Sequence, residues 1–388
     1  MPASHDLAPG KLCVAVAAGC AAGYIAYLIM TFARHGWIVD ASGKPIATDF
    51  IALWTAGRSA LSGEAASSYE PHLRHATQVA AVGHDFKGYF DWAYPPPFFF
   101  VVTTLARLTY ATAFLAWISL TFAFYGTTLA AIAKSRAALV LAFAAPWTLA
   151  NLMVGQNGLF TAALIGIVLL NLERRPLVSA IALACLAYKP QFGLLFPLAL
   201  AAGGYWRAFG WACVAIIVIF ALSGIVFGFD TFSAFVNELP KSTRTLLAEG
   251  GAGWSKLQST YGIMRWLGKV DWVAWTAHAV VAFGAAAAIV ILWRSGADFA
   301  LKAAGLCAGG LLVTPYVFAY DFAILGIAYT FLYRARRYDG AEYLLIGAAI
   351  VLYLTSALLA APLGPFAVAS LVIVIVRRLR ARDLALIG

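Results

Sequence analysis

Acidic side chains are scarce in this chain: Asp and Glu together number 17 among 388 residues, and charged residues of either sign make up 11%. A soluble domain needs a more polar surface than that. Cysteine is also sparse. Cys13, Cys20, Cys185, Cys213 and Cys307 all fall in apolar segments with no close CxxC pair, which excludes a disulfide framework or a zinc knuckle and leaves them as small core residues. Strict alternation of polar and apolar residues is missing, which argues against a β-barrel. There is no repeat of fixed period and no low-complexity tract, and only the first ten residues and the last few read as disordered. No small-residue cleavage site follows the first apolar run, Lys11 to Phe32, so that run is expected to be a retained first span.

What the chain has in quantity is apolar length. Hydrophobic residues make up 63% and the mean hydropathy is +0.84. Apolar runs recur from residue 11 to residue 376, many near the roughly 20 helical residues that cross a hydrocarbon core. The expectation is an all-α, polytopic membrane helical bundle of about 12 transmembrane helices, one domain over residues 1–388. The net charge of +10 does not point to nucleic acid. Its basic residues cluster between apolar runs: Lys134 to Arg136, Arg174-Arg175, Arg207, Arg294, Arg334 to Arg337, and Arg377 to Arg382. That distribution assigns these loops and both termini to the cytoplasm of a plasma (inner) membrane protein. Residues 34–93 and 229–271 become outer loops. Pro95 to Leu108 is too short to span comfortably, so by the parity of crossings either it is re-entrant or one basic cluster is misassigned.

The polar interruptions carry the chemistry. Asp49 follows the first span by a short loop and opens an amphipathic stretch; an acid there either caps a helix or takes part in a reaction. Arg58, nine residues on, is a candidate partner for Asp49 or for a lipid phosphate, or a snorkelling side chain. Gln156 and Asn157 each donate and accept, which suits sugar hydroxyls, but they also fit a plain polar turn. Lys189 lies between two apolar stretches, where a charge is costly, and its natural partner at an outer cavity is a phosphate. Asp321, after Tyr320, is placed to cap the next helix or to orient a hydroxyl or a lysine. His72, His75 and His84 lie in a polar loop with no carboxylate to complete a triad, so no metal and no cofactor is expected. By the charge rule all the interruptions lie at the outer face, around one cavity.

Taken in order, Asp49-Phe50, Gly57-Arg58, Leu61-Ser62-Gly63, Tyr94-Pro95-Pro96, Gly155-Gln156-Asn157, Lys189-Pro190-Gln191, Leu257-Gln258-Ser259 and Thr314-Pro315-Tyr316 resemble glycosyltransferase family 87. The resemblance implies a GT-C membrane glycosyltransferase whose catalytic aspartate lies in the first outer loop, here Asp49. It implies a polyprenyl-phosphate sugar donor, with mannose as the sugar, a glycolipid or lipid-linked acceptor, surrounding membrane lipids, and inversion at the anomeric carbon. Lys189 and Arg58 are then the donor-phosphate candidates. Gln156, Asn157, Gln191, Gln258, Tyr316, Tyr320 and Asp321 are the sugar and acceptor candidates. Some family members carry histidine in the segment matching Tyr316 to Asp321, where this chain has none. A flippase or transporter of lipid-linked sugar, without chemistry, stays open as the alternative, since interrupted helices and a cavity lysine also suit transport.

Overall fold

A computed structural model describes residues 11–86, 88, 90–135 and 137–387. Arg136 of the first basic cluster and the first ten residues lie outside it. The described chain is a helical bundle without strands; its extended pairing is limited to bridges among Trp37, Val39 and Pro45.

Two kinds of helix build the bundle. Val14–Ala33, Tyr110–Ala133, Trp206–Phe227, Asp271–Arg294 and Gly340–Leu359 are long and apolar enough to cross a membrane. Several turn large apolar side chains outward, with Ile217 68% and Phe283 77% exposed. In water such faces would be unstable; against acyl chains they are the expected surface. Gly158–Asn171, Phe299–Val313 and Ala323–Ala335 are shorter and almost wholly buried. The 14 residues of Gly158–Asn171 rise about 21 Å, less than the roughly 30 Å of a hydrocarbon core. Screened from lipid by the longer helices, these inner helices stop at polar turns whose freed backbone groups are met by protein.

Pro95 to Leu108 holds no helix as long as the candidate spans. A 3₁₀ turn, Pro96–Phe98, leads into helix Phe99–Leu105, which lies on the amphipathic helix Asp49–Leu61. Gly57 makes the contact possible, because a Cβ there would sit 2.2 Å from the Val102 carbonyl oxygen. At the end of the stretch the Leu108 carbonyl accepts from Trp54 Nε1 at 3.2 Å.

Two expectations change. Helix Gly364–Ile387 carries the last residues, expected to be disordered, in regular structure; Ala, Leu and Arg are strong helix formers. Of the cysteines, Cys307 is buried in the core, whereas Cys20 and Cys213 are exposed on long apolar helices, where a lipid-facing side chain need only be apolar.

Most of the basic clusters gather at one end of the bundle. The loops around Glu173 and Tyr205 meet there through a 3.2 Å hydrogen bond, Tyr205 packs on Trp293, and Arg382 reaches Gly296. The polar interruptions collect at the other end.

Candidate active site

Thr48, not Asp49, is the residue before helix Asp49–Leu61, and its side chain makes no capping bond. Asp49 is the first helical residue. Its Oδ2 accepts from Gln156 Nε2 at 3.0 Å, so the carboxylate is aimed across the bundle at the turn between helices Pro146–Val154 and Gly158–Asn171. The capping alternative therefore fails. Phe50, fully buried against Tyr110 and Phe114, fixes the start of the helix. Gly155 fixes the turn: its φ is +66°, a Cβ would lie 2.7 Å from Phe50 Cβ, and its carbonyl accepts from Trp117 Nε1 at 3.0 Å.

The turn continues into Asn157, whose side chain is fully buried and donates to the Tyr94 hydroxyl at 2.8 Å. Its Oδ1 has no hydrogen-bond partner among the described residues. Its backbone carbonyl accepts from Tyr188 at 3.2 Å and from Thr161 at 3.0 Å. Burial pushes the Tyr94 hydroxyl up, so it stays a neutral donor or acceptor.

Tyr188 leads directly to Lys189. The Lys189 ammonium is 2.8 Å from Asp321 Oδ1, both side chains are buried, and the Tyr320 ring centroid lies 5.0 Å from Nζ. Asp321 Oδ2 accepts from the Phe318 amide at 3.0 Å, so this acid both caps its turn and holds the lysine. The Tyr320 carbonyl accepts from Asn151 Nδ2 at 2.9 Å, and Gly158 lacks the Cβ that would meet that carbonyl. Asp49, Gln156 and Asn157 thus adjoin Lys189, Tyr320 and Asp321 through Tyr94, Asn151 and Tyr188.

Other expected site residues stand elsewhere. About two and a half helical turns separate Arg58 from Asp49, which puts it on the opposite side of the helix, exposed, with its guanidinium 5.7 Å from the Trp54 ring centroid. Gln258 is spent on structure: Oε1 accepts from Ser356 and from the Gly364 amide, each at 2.9 Å, and Nε2 donates to the Ser255 carbonyl at 2.9 Å. Tyr316 donates to Thr243 at 2.8 Å. Gln191 is half-buried on the short helix after Lys189.

Asp49 is half-buried. Burial pushes its carboxyl above the usual carboxylate range, against the pull of the Gln156 bond and of the Lys256 and Lys189 charges. Lys256 escapes notice in the sequence, where an exposed lysine in a polar loop looks merely solvated; its one signal is its place just before Leu257-Gln258-Ser259. Tyr94 stands beside the prolines that mark its motif, yet its hydroxyl is what joins the site.

An all-α membrane bundle with acids, amides and a buried lysine gathered at one end defines a multi-pass membrane protein with a polar reaction site. The chain belongs to glycosyltransferase family 87, which it matches over residues 92–315, more than half its length. Gln156, Asn157, Lys189, Gln191 and Gln258 lie inside that stretch; Asp49 precedes it and Tyr316 to Asp321 follow it. No curated protein and no solved structure matches the chain. It is a membrane glycosyltransferase.

Proposed function

We propose that the protein moves a hexose, mannose by the family resemblance, from a polyprenyl-phosphate sugar to a glycolipid or lipid-linked acceptor at the outer face of the plasma membrane, with inversion. The observation that carries this is the Asp49–Gln156 bond: a carboxylate oriented by a neutral amide, in contact with no cation among the described residues, is free to take a proton. In the step, Asp49 removes the acceptor hydroxyl proton as that oxygen attacks C1 from the face opposite the phosphate. The C1–O bond to phosphate breaks, and polyprenyl phosphate leaves with the electron pair. One carboxylate suffices for a single displacement.

Asn157 and Gln156 offer amide groups to sugar hydroxyls beside Asp49. Lys189 is bonded to Asp321 and holds the interruption before helix Ala323–Ala335 against the turn at Asn157; its positive charge still acts on Asp49 from a distance. The basic end of the bundle faces the cytoplasm, and about 12 crossings, with Pro95 to Leu108 folded back, return the C-terminus to that side.

The test is sugar transfer by purified protein in detergent, where no second compartment exists. With a polyprenyl-phosphate hexose and a glycolipid acceptor, mass spectrometry should show a hexose added, and the anomeric NMR coupling of the product should show the configuration inverted relative to the donor. Donor left intact in detergent, with lipid-linked sugar moved between leaflets in vesicles, would make the protein a transporter instead.

A further inference from the structure

The site needs a cation for the leaving phosphate, and neither expected one is free. A positive charge beside a departing phosphate stabilises the charge that develops there. Lys189 is already neutralised by Asp321 at 2.8 Å and is 5% exposed. Arg58 stands across its helix from Asp49 and leans on Trp54. We propose that Lys256 holds the phosphate of the donor, an assignment that rests on the glycosyl transfer proposed above.

Lys256 ends the 3₁₀ turn Trp254–Lys256, which precedes helix Thr260–Trp266. Its side chain is exposed, and among the described residues it forms no ion pair. The backbone beneath it is fixed on every side. Leu257 is fully buried, and its carbonyl packs so close to Gly262 that any Cβ there would collide with it. The Gln258 amide donates to the Val317 carbonyl at 2.7 Å, and the Gln258 side chain ties Ser255, Ser356 and Gly364 together. Trp254 donates to the Leu247 carbonyl at 2.8 Å and packs under the Arg265 guanidinium. A solvated surface lysine requires no such foundation. This one is an exposed ammonium on a fixed backbone, the form in which lysine serves as a point charge for phosphate.

The base also fixes where the charge sits. Val317, which Gln258 grips, is followed by Phe318, stacked on Tyr320, and then by Asp321, which holds Lys189. The Lys256 turn is therefore anchored on the segment that forms the wall of the site. Its charge is felt at Asp49, ahead of that of Lys189. A phosphate held there shares the end of the bundle where Asp49 stands, and among the described residues the ammonium is not bonded to that carboxylate.

The experiment titrates full-length protein in detergent with farnesyl phosphate and, separately, with farnesol, for the wild type, Lys256→Met and Lys256→Arg. The wild type should prefer the phosphate, and Lys256→Met should weaken farnesyl phosphate binding by about 10- to 100-fold while leaving farnesol unchanged. Lys256→Arg should restore part of the loss, and the wild-type preference should shrink with salt. Equal binding of farnesyl phosphate by the wild type and the Met variant overturns the assignment, as does a wild type that does not discriminate phosphate from alcohol. In transfer assays the Met effect should appear when donor is varied at saturating acceptor. An effect confined to acceptor dependence gives the charge to an acceptor phosphate and also overturns it. Normal donor use by Lys256→Met with no transfer by Asp49→Asn ends the Lys256 role alone. Farnesyl phosphate binding that depends on Lys256, in a protein that transfers no sugar, ends the transfer reading alone.

Discussion

Glu342 and Asp49 are acids at opposite ends of the bundle, and their surroundings differ. Glu342, among the basic clusters, is fully buried; it accepts from Arg378 Nε and Nη2 at 2.8 Å each and from Arg336 Nη2 at 2.9 Å. Its Oε2 also receives the Asp339 amide at 3.1 Å, closing a capping box at the start of helix Gly340–Leu359. Arg378 in turn donates to the Leu332 and Arg336 carbonyls, which fastens the last helix to the helix Ala323–Ala335. Asp49 has one neutral amide and, among the described residues, no cation in contact. Asp321 sits at Asp49's end of the molecule but is paired as Glu342 is. A buried acid that serves the architecture is neutralised by contact, because a lone buried charge is costly. An acid kept for proton transfer is oriented and left without that contact.

Substitutions ranked by their cost in stability sharpen this contrast. Glu342→Gln, which leaves the buried Arg378 without its counter-charge, should cost the most, about 3–5 kcal/mol, with transfer per folded molecule unchanged. Thermal unfolding in detergent measures it; transfer lost at full stability would move Glu342 into the reaction. Lys189→Met should cost less, about 1–3 kcal/mol, because Asp321 can relieve its isolation by taking a proton. Adding Asp321→Asn should recover most of that loss, and a double variant no better than Lys189→Met would show that the ion pair is not what stabilises the segment.

Gln156→Ala removes two side-chain hydrogen bonds, one to Asp49 and one from the Asn157 amide, and should lower stability by about 1–2 kcal/mol. Its clearer effect should be on kcat, about tenfold down, since Asp49 loses the group that orients it. An unchanged kcat would mean that the carboxylate finds its geometry without the amide. Arg58→Gln should shift stability by no more than about 0.5 kcal/mol and leave transfer as it was. A large drop in donor use in that variant would return Arg58 to the site.

Much of this arrangement is legible in the sequence, because apolar length dictates membrane helices and each polar interruption in lipid demands a reason. Asp49, Gln156, Lys189 and Asp321 all stand out on that ground. Their partners do not. Lys189 and Asp321 lie 132 residues apart, and only the packing of helices Pro176–Leu186 and Ala323–Ala335 around Gly158–Asn171 brings them into contact. Arg58 seemed a partner for Asp49 because it is near in sequence; helical periodicity puts it on the wrong side. Gln258 sits in a motif of polar residues, and nothing local reveals that its amide is consumed by the start of helix Gly364–Ile387. Cys20 and Cys213 read as core because an apolar residue facing lipid and one facing protein carry the same signature.

The central claim is that Asp49 is held for chemistry and not for structure, and Asp49→Asn measured for both on one preparation tests it most directly. Burial raises the folded-state pKa of Asp49, so the native protein binds its proton more tightly than the unfolded chain does. Ionising Asp49 therefore costs stability, a cost absent in acid and fully present once the pH exceeds the raised pKa. The variant should thus melt at or above the wild-type temperature at neutral pH, with the gap closing as the pH falls through the carboxylate range. Transfer should nonetheless drop by about 10²–10⁴-fold. A variant that melts well below the wild type, as Glu342→Gln should, or one that is equally stable and still transfers sugar at near the wild-type rate, would contradict the account.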